Sequence, residues 1–303
     1  MKAELHVLGS SSALPTKDRH PSAQVLTIGY EKILIDCGEG TQTQLVRYGI
    51  KLSAINYICI SHLHGDHYFG LIGLISTMSL NGRKLPLHII APSPLKEIIE
   101  LQLKYGHMAN SFELIYHDTN PDKQEFILSN DSFSLTSFPL KHRIQCNGFL
   151  ITESKNERPL NASACEKAGI PIAFYRSIKL GNDFETSDGK KISNALLTFD
   201  PEPAKTFAYC SDTIFDGEII PYIKNADLLY HETTYLHELA DKAAERYHST
   251  AKQAGEIAKQ ANVKKLVIGH FSSRYDNLDP LLEEARIEFS ESHLGIEGSA
   301  FML

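Results

Sequence analysis

The chain has 303 residues, 42% of them hydrophobic, which is long and apolar enough to bury a sizeable core. No apolar run approaches the ~20 residues that span a bilayer, and the opening MKAELHVLGS lacks the apolar stretch of a signal peptide, so export and membrane insertion are not expected. The formal net charge of −7 argues against a generally basic surface for nucleic acid, while local fields and bound cations can still favour phosphate.

Taken in chain order, the N-terminus reads as a strand entering a loop. Val25 to Ile28 and Ile33 to Ile35 read as two short strands with a turn at Gly29-Tyr30. Thr41 to Tyr48 reads as a helix, and the continuous apolar run Tyr57 to Ile60 as a buried strand leading into His62. Leu95, Ile98, Ile99 and Leu103 give Pro94 to Tyr105 helical spacing. Phe133 to Phe138 alternates like a strand and ends shortly before His142.

The last third repeats the grammar. Strands at Thr206 to Ser211, Asp227 to Tyr230 and Leu266 to Ile268 run into Asp212, His231 and His270, and helices are expected over Thr250 to Gln260 and Pro280 to Phe289. Between the halves, residues 154–205 hold Pro159, Gly169, Pro171, Gly181, Gly189, Pro201 and Pro203, and their apolar residues show no sustained period. Loops this long are uncommon inside a compact domain unless functional, so the stretch reads as an arm inserted into a single domain spanning 1–303. The five cysteines form no CxxC pair. Cys37, Cys59 and Cys210 sit in apolar runs, as buried thiols do in a reducing, cytoplasmic compartment.

Chemistry concentrates at Ser61-His62-Leu63-His64-Gly65-Asp66-His67, directly after the buried strand. Alternate residues of an extended segment point the same way, so His62 and His64 can share one ion. Gly65 permits a tight bend that redirects Asp66 and His67 toward a second ion. Imidazole and carboxylate donors suit zinc and, less selectively, manganese or iron. A surface-loop reading would suit one or two histidines better than four potential ligands at a strand end.

This H-x-H-x-D-H pattern resembles the metallo-β-lactamase superfamily, which implies an α/β fold: a four-layer αββα sandwich with metals at the edge between two sheets. The resemblance implies further ligands at His142, Asp212 and His270. One metal would take His62, His64, His142 and Asp212, and the other Asp66, His67, Asp212 and His270, giving two Zn2+ per subunit with Mn2+ or another divalent metal as the alternative.

Three segments are similar to the ribonuclease Z branch. Pro15-Thr16-Lys17-Asp18-Arg19-His20 resembles its P-x-K-x-R-N loop, with His20 in place of asparagine. His231-Glu232-Thr233-Thr234 resembles its H-E-A-T segment, with Thr233 in place of alanine, and His248-Ser249-Thr250 falls where the family carries a catalytic histidine. The insertion sits where that family carries its tRNA-clamping arm, although Ala168-Gly169-Ile170-Pro171 departs from the usual Gly-Pro pair.

The resemblance implies a metal-dependent endoribonuclease that trims 3′ trailers from precursor tRNA and usually works as a homodimer. In it Asp66, His248 and Glu232 are catalytic, and Lys17, Arg19 and Arg274 meet the substrate. Without it, Lys17 and Arg19 fit an ordinary solvated loop, and Glu232 fits a helix cap near Thr234. The main competing function is hydrolysis of small or cyclic phosphodiesters at the same metals, and a more distant one is a non-catalytic RNA-binding protein.

Overall fold

The computed structural model describes residues 3–108, 111–154 and 157–303. Met1 and Lys2 of the expected first strand, and Lys155 and Asn156 of the expected arm, lie outside the described residues. The chain divides into two compact units, Met1–Thr152 with Lys205–Leu303, and Glu153–Ala204.

In the larger unit, β1 (Ala3–Gly9), β2 (Ala23–Ile28), β3 (Glu31–Ile35), β4 (Ile55–Cys59), β5 (Leu87–Ala91) and β6 (Leu114–Asp118) lie side by side in sequence order. β1 to β3 are antiparallel, and β3 to β6 are parallel. The helices between them are α1 (Thr41–Arg47), the short α2 (Gly65–Tyr68), α3 (Leu71–Leu80) and α4 (Pro94–Tyr105). A second sheet begins with β7 (Glu125–Ser129), β8 (Phe133–Leu140) and β9 (Cys146–Glu153).

The smaller unit follows, with α5 (Ala162–Lys167), α6 (Tyr175–Lys179), a two-stranded ribbon of β10 (Phe184–Glu185) and β11 (Lys191–Ile192), and α7 (Asn194–Leu197). It buries its own cluster of Cys165, Ile170, Ile178, Phe184 and Leu197. The aperiodic sequence therefore does not mean a structureless stretch. Five apolar side chains from separate short turns close one small core, and periodicity arguments need longer elements than these.

The chain then completes the second sheet with β12 (Thr206–Cys210), β13 (Leu228–Glu232), β14 (Leu266–Gly269) and β15 (Ser292–Leu294), in the order β15-β14-β13-β12-β9-β8-β7. Packed among these are α8 (Ile220–Ile223), α9 (Ala240–Arg246), α10 (Ala251–Gln260) and α11 (Asp279–Glu288). A last strand, β16 (Ala300–Met302), returns to pair with β1 of the first sheet.

The layering follows from alternation along the strands. Ile33, Ile35, Cys59 and Ile90 of the first sheet share one buried cluster with Phe133, Phe149, Phe207, Tyr209 and Val267 of the second. Their neighbours Leu34, Ile58 and Ile89 face the other way, against Leu45, Leu74, Ile75, Leu95 and Ile99 of the helices. On the far face of the second sheet, Ala208, Leu229, Leu266 and Ile268 pack on Ala254, Ile257, Ala258, Leu281 and Ala285. Two mixed sheets face each other and carry helices outside, the αββα sandwich expected.

α10 begins with a reciprocal capping box between Thr250 and Gln253. Gly255 lets it approach α11 closely, since a Cβ there would lie 2.6 Å from the Ala285 carbonyl oxygen. That close approach anchors the segment between β13 and β14, which carries His248.

Candidate metal centre

Strand ends deliver the donors. β4 ends at Cys59 and hands the chain to Ser61 and His62, β8 ends two residues before His142, β12 two before Asp212, and β14 one before His270. The turn within the histidine loop differs from the glycine bend expected. His64 is extended (φ −75°, ψ 144°) and Gly65 opens the helical turn α2, so it is helix geometry that redirects Asp66 and His67. Gly65 is required for space instead: a Cβ would meet the Phe69 ring at 2.2 Å.

Two donor groups result. In the first, His62 Nε2 and His142 Nε2 lie 3.0 and 3.1 Å from His64 Nδ1, and 3.6 and 4.0 Å from Asp212 Oδ2. In the second, Asp66 Oδ2 is 3.4 Å from His67 Nε2 and 3.5 Å from His270 Nε2. Asp212 Oδ1 is 3.5 and 3.2 Å from the same two nitrogens. Asp212 thus aims one carboxylate oxygen at each group, the disposition of a bridging ligand. All seven residues expected to bind metal are brought together.

The donor set fits divalent cations on a further ground. His67 Nε2, His270 Nε2 and Asp212 Oδ1 are buried and have no hydrogen-bond partner. Such an orphan costs about 1–3 kcal/mol, and three converging on one point are satisfied together by a cation.

Behind the donors stand residues to which the sequence reading gave no role. Buried Asp36 accepts bonds from Ser61 N (2.8 Å), Ser61 Oγ (3.0 Å) and Tyr209 OH (2.7 Å), and pairs with His67 Nδ1 at 2.7 Å. Asp36 and His270 both adopt left-handed backbone, with φ of 55° and 59°, a conformation few non-glycine residues take without a reason. Thr234 Oγ1 donates to Glu232 Oε2 (2.8 Å) and lies 2.9 Å from His270 Nδ1. His142 Nδ1 lies 3.0 Å from the Tyr247 carbonyl oxygen. Holding Nδ1 in this way fixes each ring and leaves Nε2 for a metal. The available signal for Asp36 was an acid at the end of β3, next to a buried strand and parallel to the one feeding His62.

Glu232 is wholly buried and accepts bonds through both oxygens: Oε1 from Ser249 N (2.8 Å) and Oε2 from Thr234 N (2.9 Å), with His248 Nδ1 3.0 Å from Oε1. No helix starts at Thr234, so Glu232 is not a helix cap; the next helical turn is His237–Leu239. Burial disfavours charge on His248, but the Glu232 carboxylate outweighs it and pushes the imidazole up to about 9. Burial likewise disfavours charge on Glu232, and His248 outweighs it, holding the carboxyl below its ordinary value. Burial and neighbouring His67 push His62 well below its usual value, and burial lowers His64 and His142. Those three are neutral lone-pair donors at neutral pH.

The donors open onto a cavity of about 610 Å³. Its wall includes Arg143, Lys242 and Arg246, which the sequence did not single out, and does not include Lys17, Arg19 or Arg274. Lys17 is exposed. Arg19 Nη2 donates to the Ser272 carbonyl (3.3 Å), and Arg274 Nε donates to Ser272 Oγ (3.2 Å), its guanidinium 5.1 Å from the Tyr235 ring centre. His20, the departure from the loop pattern, is held by Glu297, which takes its backbone N–H, lies 2.9 Å from its Nδ1, and also accepts from Gln44 Nε2 at 2.6 Å.

Sandwich, donor cluster and strand-end placement together define a metal-dependent hydrolase of the metallo-β-lactamase fold. A solved metallo-β-lactamase fold protein from Bacillus subtilis superposes over all of both chains with a TM-score of 0.70 at 20% identity. Residues 3–164, which carry β1 to β9 and the histidine loop, match the family model described as Anti-Pycsar protein Apyc1. Over its whole length the chain belongs to the ribonuclease Z family. It is 47% identical to the ribonuclease Z of Cytophaga hutchinsonii, with 99% of this chain and 96% of that one covered. It also superposes on the crystal structure of the human short-form tRNase Z with a TM-score of 0.72 and 26% identity, over 98% of each chain.

Proposed function

We propose that the chain is an endoribonuclease that removes 3′ trailers from tRNA precursors, leaving a 3′-hydroxyl on the tRNA and a 5′-phosphate on the trailer. The observation that carries this is the Asp212 carboxylate, with one oxygen on each of two donor groups and the His248–Glu232 pair beside it.

His62, His64, His142 and Asp212 would hold one ion, and Asp66, His67, Asp212 and His270 the other, both proposed to be zinc. Divalent metal bound there would supply Lewis acidity toward a phosphodiester and activate the attacking water. Asp66 would be the group that accepts a proton from the attacking water. His248 is held through Nδ1 by Glu232, which leaves Nε2 to give a proton to the departing 3′-oxygen as the P–O3′ bond breaks. Glu232 acts through His248 as a positioning residue.

Arg19 and Arg274 meet at Ser272, beside the cavity, and with Lys17 are proposed to guide the strand. The unit of residues 153–204 is proposed as the arm that grips tRNA away from the cut, in a homodimer working in the cytoplasm. Among the described residues no helix is long and apolar enough to cross a membrane.

The test is incubation with a 3′-extended tRNA transcript, with and without chelator, and end-mapping of the products. A cut at the tRNA 3′ end that chelator abolishes is expected. Hydrolysis of bis(p-nitrophenyl) phosphate with no cut in the transcript would point to small phosphodiesters instead.

A further inference from the structure

Arg143, Lys242 and Arg246 form the basic part of the cavity wall, and all three are exposed. None has a carboxylate partner or a side-chain hydrogen bond among the described residues. In a chain with 37 acidic and 30 basic residues, three cations gather round one cavity. Some cations elsewhere pair, as Lys141 does with Asp216 and Glu218, and Lys264 with Asp227, while others such as Lys51 and Lys84 stay solvated, so it is the shared wall that marks these three.

Local structure ties all three to the site. Lys242 and Arg246 are one turn apart on the same face of α9. That helix ends at Tyr247 in a left-handed conformation (φ 58°, ψ 47°), whose carbonyl meets His142 Nδ1, and the next residue is His248. Arg143 follows His142 directly. Outside the donor cluster, the wall's one carboxylate is Glu39. The cavity, at about 610 Å³, has room for more than the reacting phosphate.

We propose that Arg143, Lys242 and Arg246 bind backbone phosphates of the RNA strand on the 5′ side of the scissile bond. The assignment rests on the proposed function, in which His248 meets the leaving 3′-oxygen. That oxygen belongs to the nucleotide 5′ of the cut, and the cations beside His248 meet the phosphates of that nucleotide's strand. Their contribution is long-range and salt-sensitive, because each cation–phosphate pairing releases condensed counterions.

The test compares wild type, Arg143→Gln, the double variant Lys242→Gln with Arg246→Gln, and the charge-preserving Lys242→Arg, all with full metal content. Each cleaves a tRNA precursor over a salt series, once with a long trailer and once with a single trailer nucleotide. The double variant is expected to lower the slope of log(kcat/KM) against log[salt] by ~0.7 for each cation–phosphate pairing removed, with KM rising on the order of tenfold. Arg143→Gln is expected to lower the slope by about one such step, and Lys242→Arg to keep the wild-type slope. The losses are expected with both trailers, since the phosphates lie 5′ of the cut. An unchanged slope overturns the proposal, and so does a loss seen only with the long trailer, which would place the cations against the 3′ side. Wild type that leaves both precursors uncut overturns the proposed function along with this inference, whereas cutting with an unchanged slope overturns the inference alone.

Discussion

The two donor groups share Asp212 but are built differently. The Asp66–His67–His270 group is backed by side-chain oxygen that is itself charged or charge-linked: Asp36 on His67 Nδ1, and Thr234, donating to Glu232, on His270 Nδ1. The His62–His64–His142 group has the Ser61 hydroxyl, itself donating to Asp36, 3.0 Å from His62 Nδ1 and a backbone carbonyl at His142, so neither ring has a carboxylate directly on Nδ1. His67 and His270 are buried with Asp66 half-buried, while His62 is buried and His64 and His142 are half-buried. Burial disfavours charge on His67, yet the Asp212, Asp66 and Asp36 carboxylates outweigh it and raise the imidazole well above its ordinary value. One group thus has a carboxylate bonded directly behind a ligand ring, and the other is a cluster of neutral imidazoles. Since outer partners that raise ligand basicity strengthen metal binding, the carboxylate-backed group should hold its cation more tightly, and chelator should empty the two in separate phases.

The largest effect should erase the comparison. Asp212→Ala removes a donor oxygen from both groups at once. Metal analysis should show loss from both, and turnover on precursor tRNA should fall on the order of 10³-fold, given several kcal/mol of charge stabilisation from bound metal. Retention of a full complement of metal would mean that Asp212 does not join the two groups.

Asp36→Asn should sharpen the comparison. It keeps the shape while removing the charge behind His67. The tighter phase of a chelator titration should weaken about 10–100-fold, with a smaller shift in the looser phase, which Asp36 reaches only through Ser61. Equal shifts in both phases would show that the groups are not built as separately as their partners suggest. Because Asp36 also accepts from Tyr209 and Ser61, thermal unfolding with metal removed should accompany the titration, to separate a general loss of packing from a loss at one site.

How far sequence carried this architecture depends on the range of the signal. The loop from His62 to His67 declares itself because four ligands fall in six positions after a strand, and period and length alone place β3, β4, α4, α10 and β14 to within a few residues. Asp36 and Tyr247 carry no such local signature, and Thr234 stands in the H-E-A-T-like segment without its role being legible there. Their roles come from strands and helices meeting across 31, 36 and 105 positions, as with Asp36 and His67, Thr234 and His270, and Tyr247 and His142. The cations of the cavity wall were hidden for a similar reason, since Lys242 and Arg246 sit on the short, mostly exposed α9 and meet Arg143, from the loop after β8, only in the folded chain. Residues 153–204 were opaque because their small core is assembled from single side chains on separate turns.

The smallest effects separate the two things Glu232 supports. Thr234→Val removes a hydroxyl that lies 2.9 Å from His270 Nδ1 and, more distantly, 3.3 Å from His248 Nδ1, and it leaves the Glu232 charge on His248 in place, so the tighter metal phase should weaken by less than with Asp36→Asn and the pH profile should keep its place. Glu232→Gln acts on His248. There the folded imidazole sits at about 9 because the carboxylate outweighs burial, so it is protonated at neutral pH and loses its proton as pH rises through that value. With a neutral amide in place of the carboxylate, burial is left to act in its own direction, which is downward. The alkaline limb of kcat/KM on precursor tRNA should therefore move to lower pH in Glu232→Gln and stay put in Thr234→Val. A limb that moves equally in both variants would mean that His248 and His270 answer to one shared network, and the separation drawn between metal support and proton delivery would not hold.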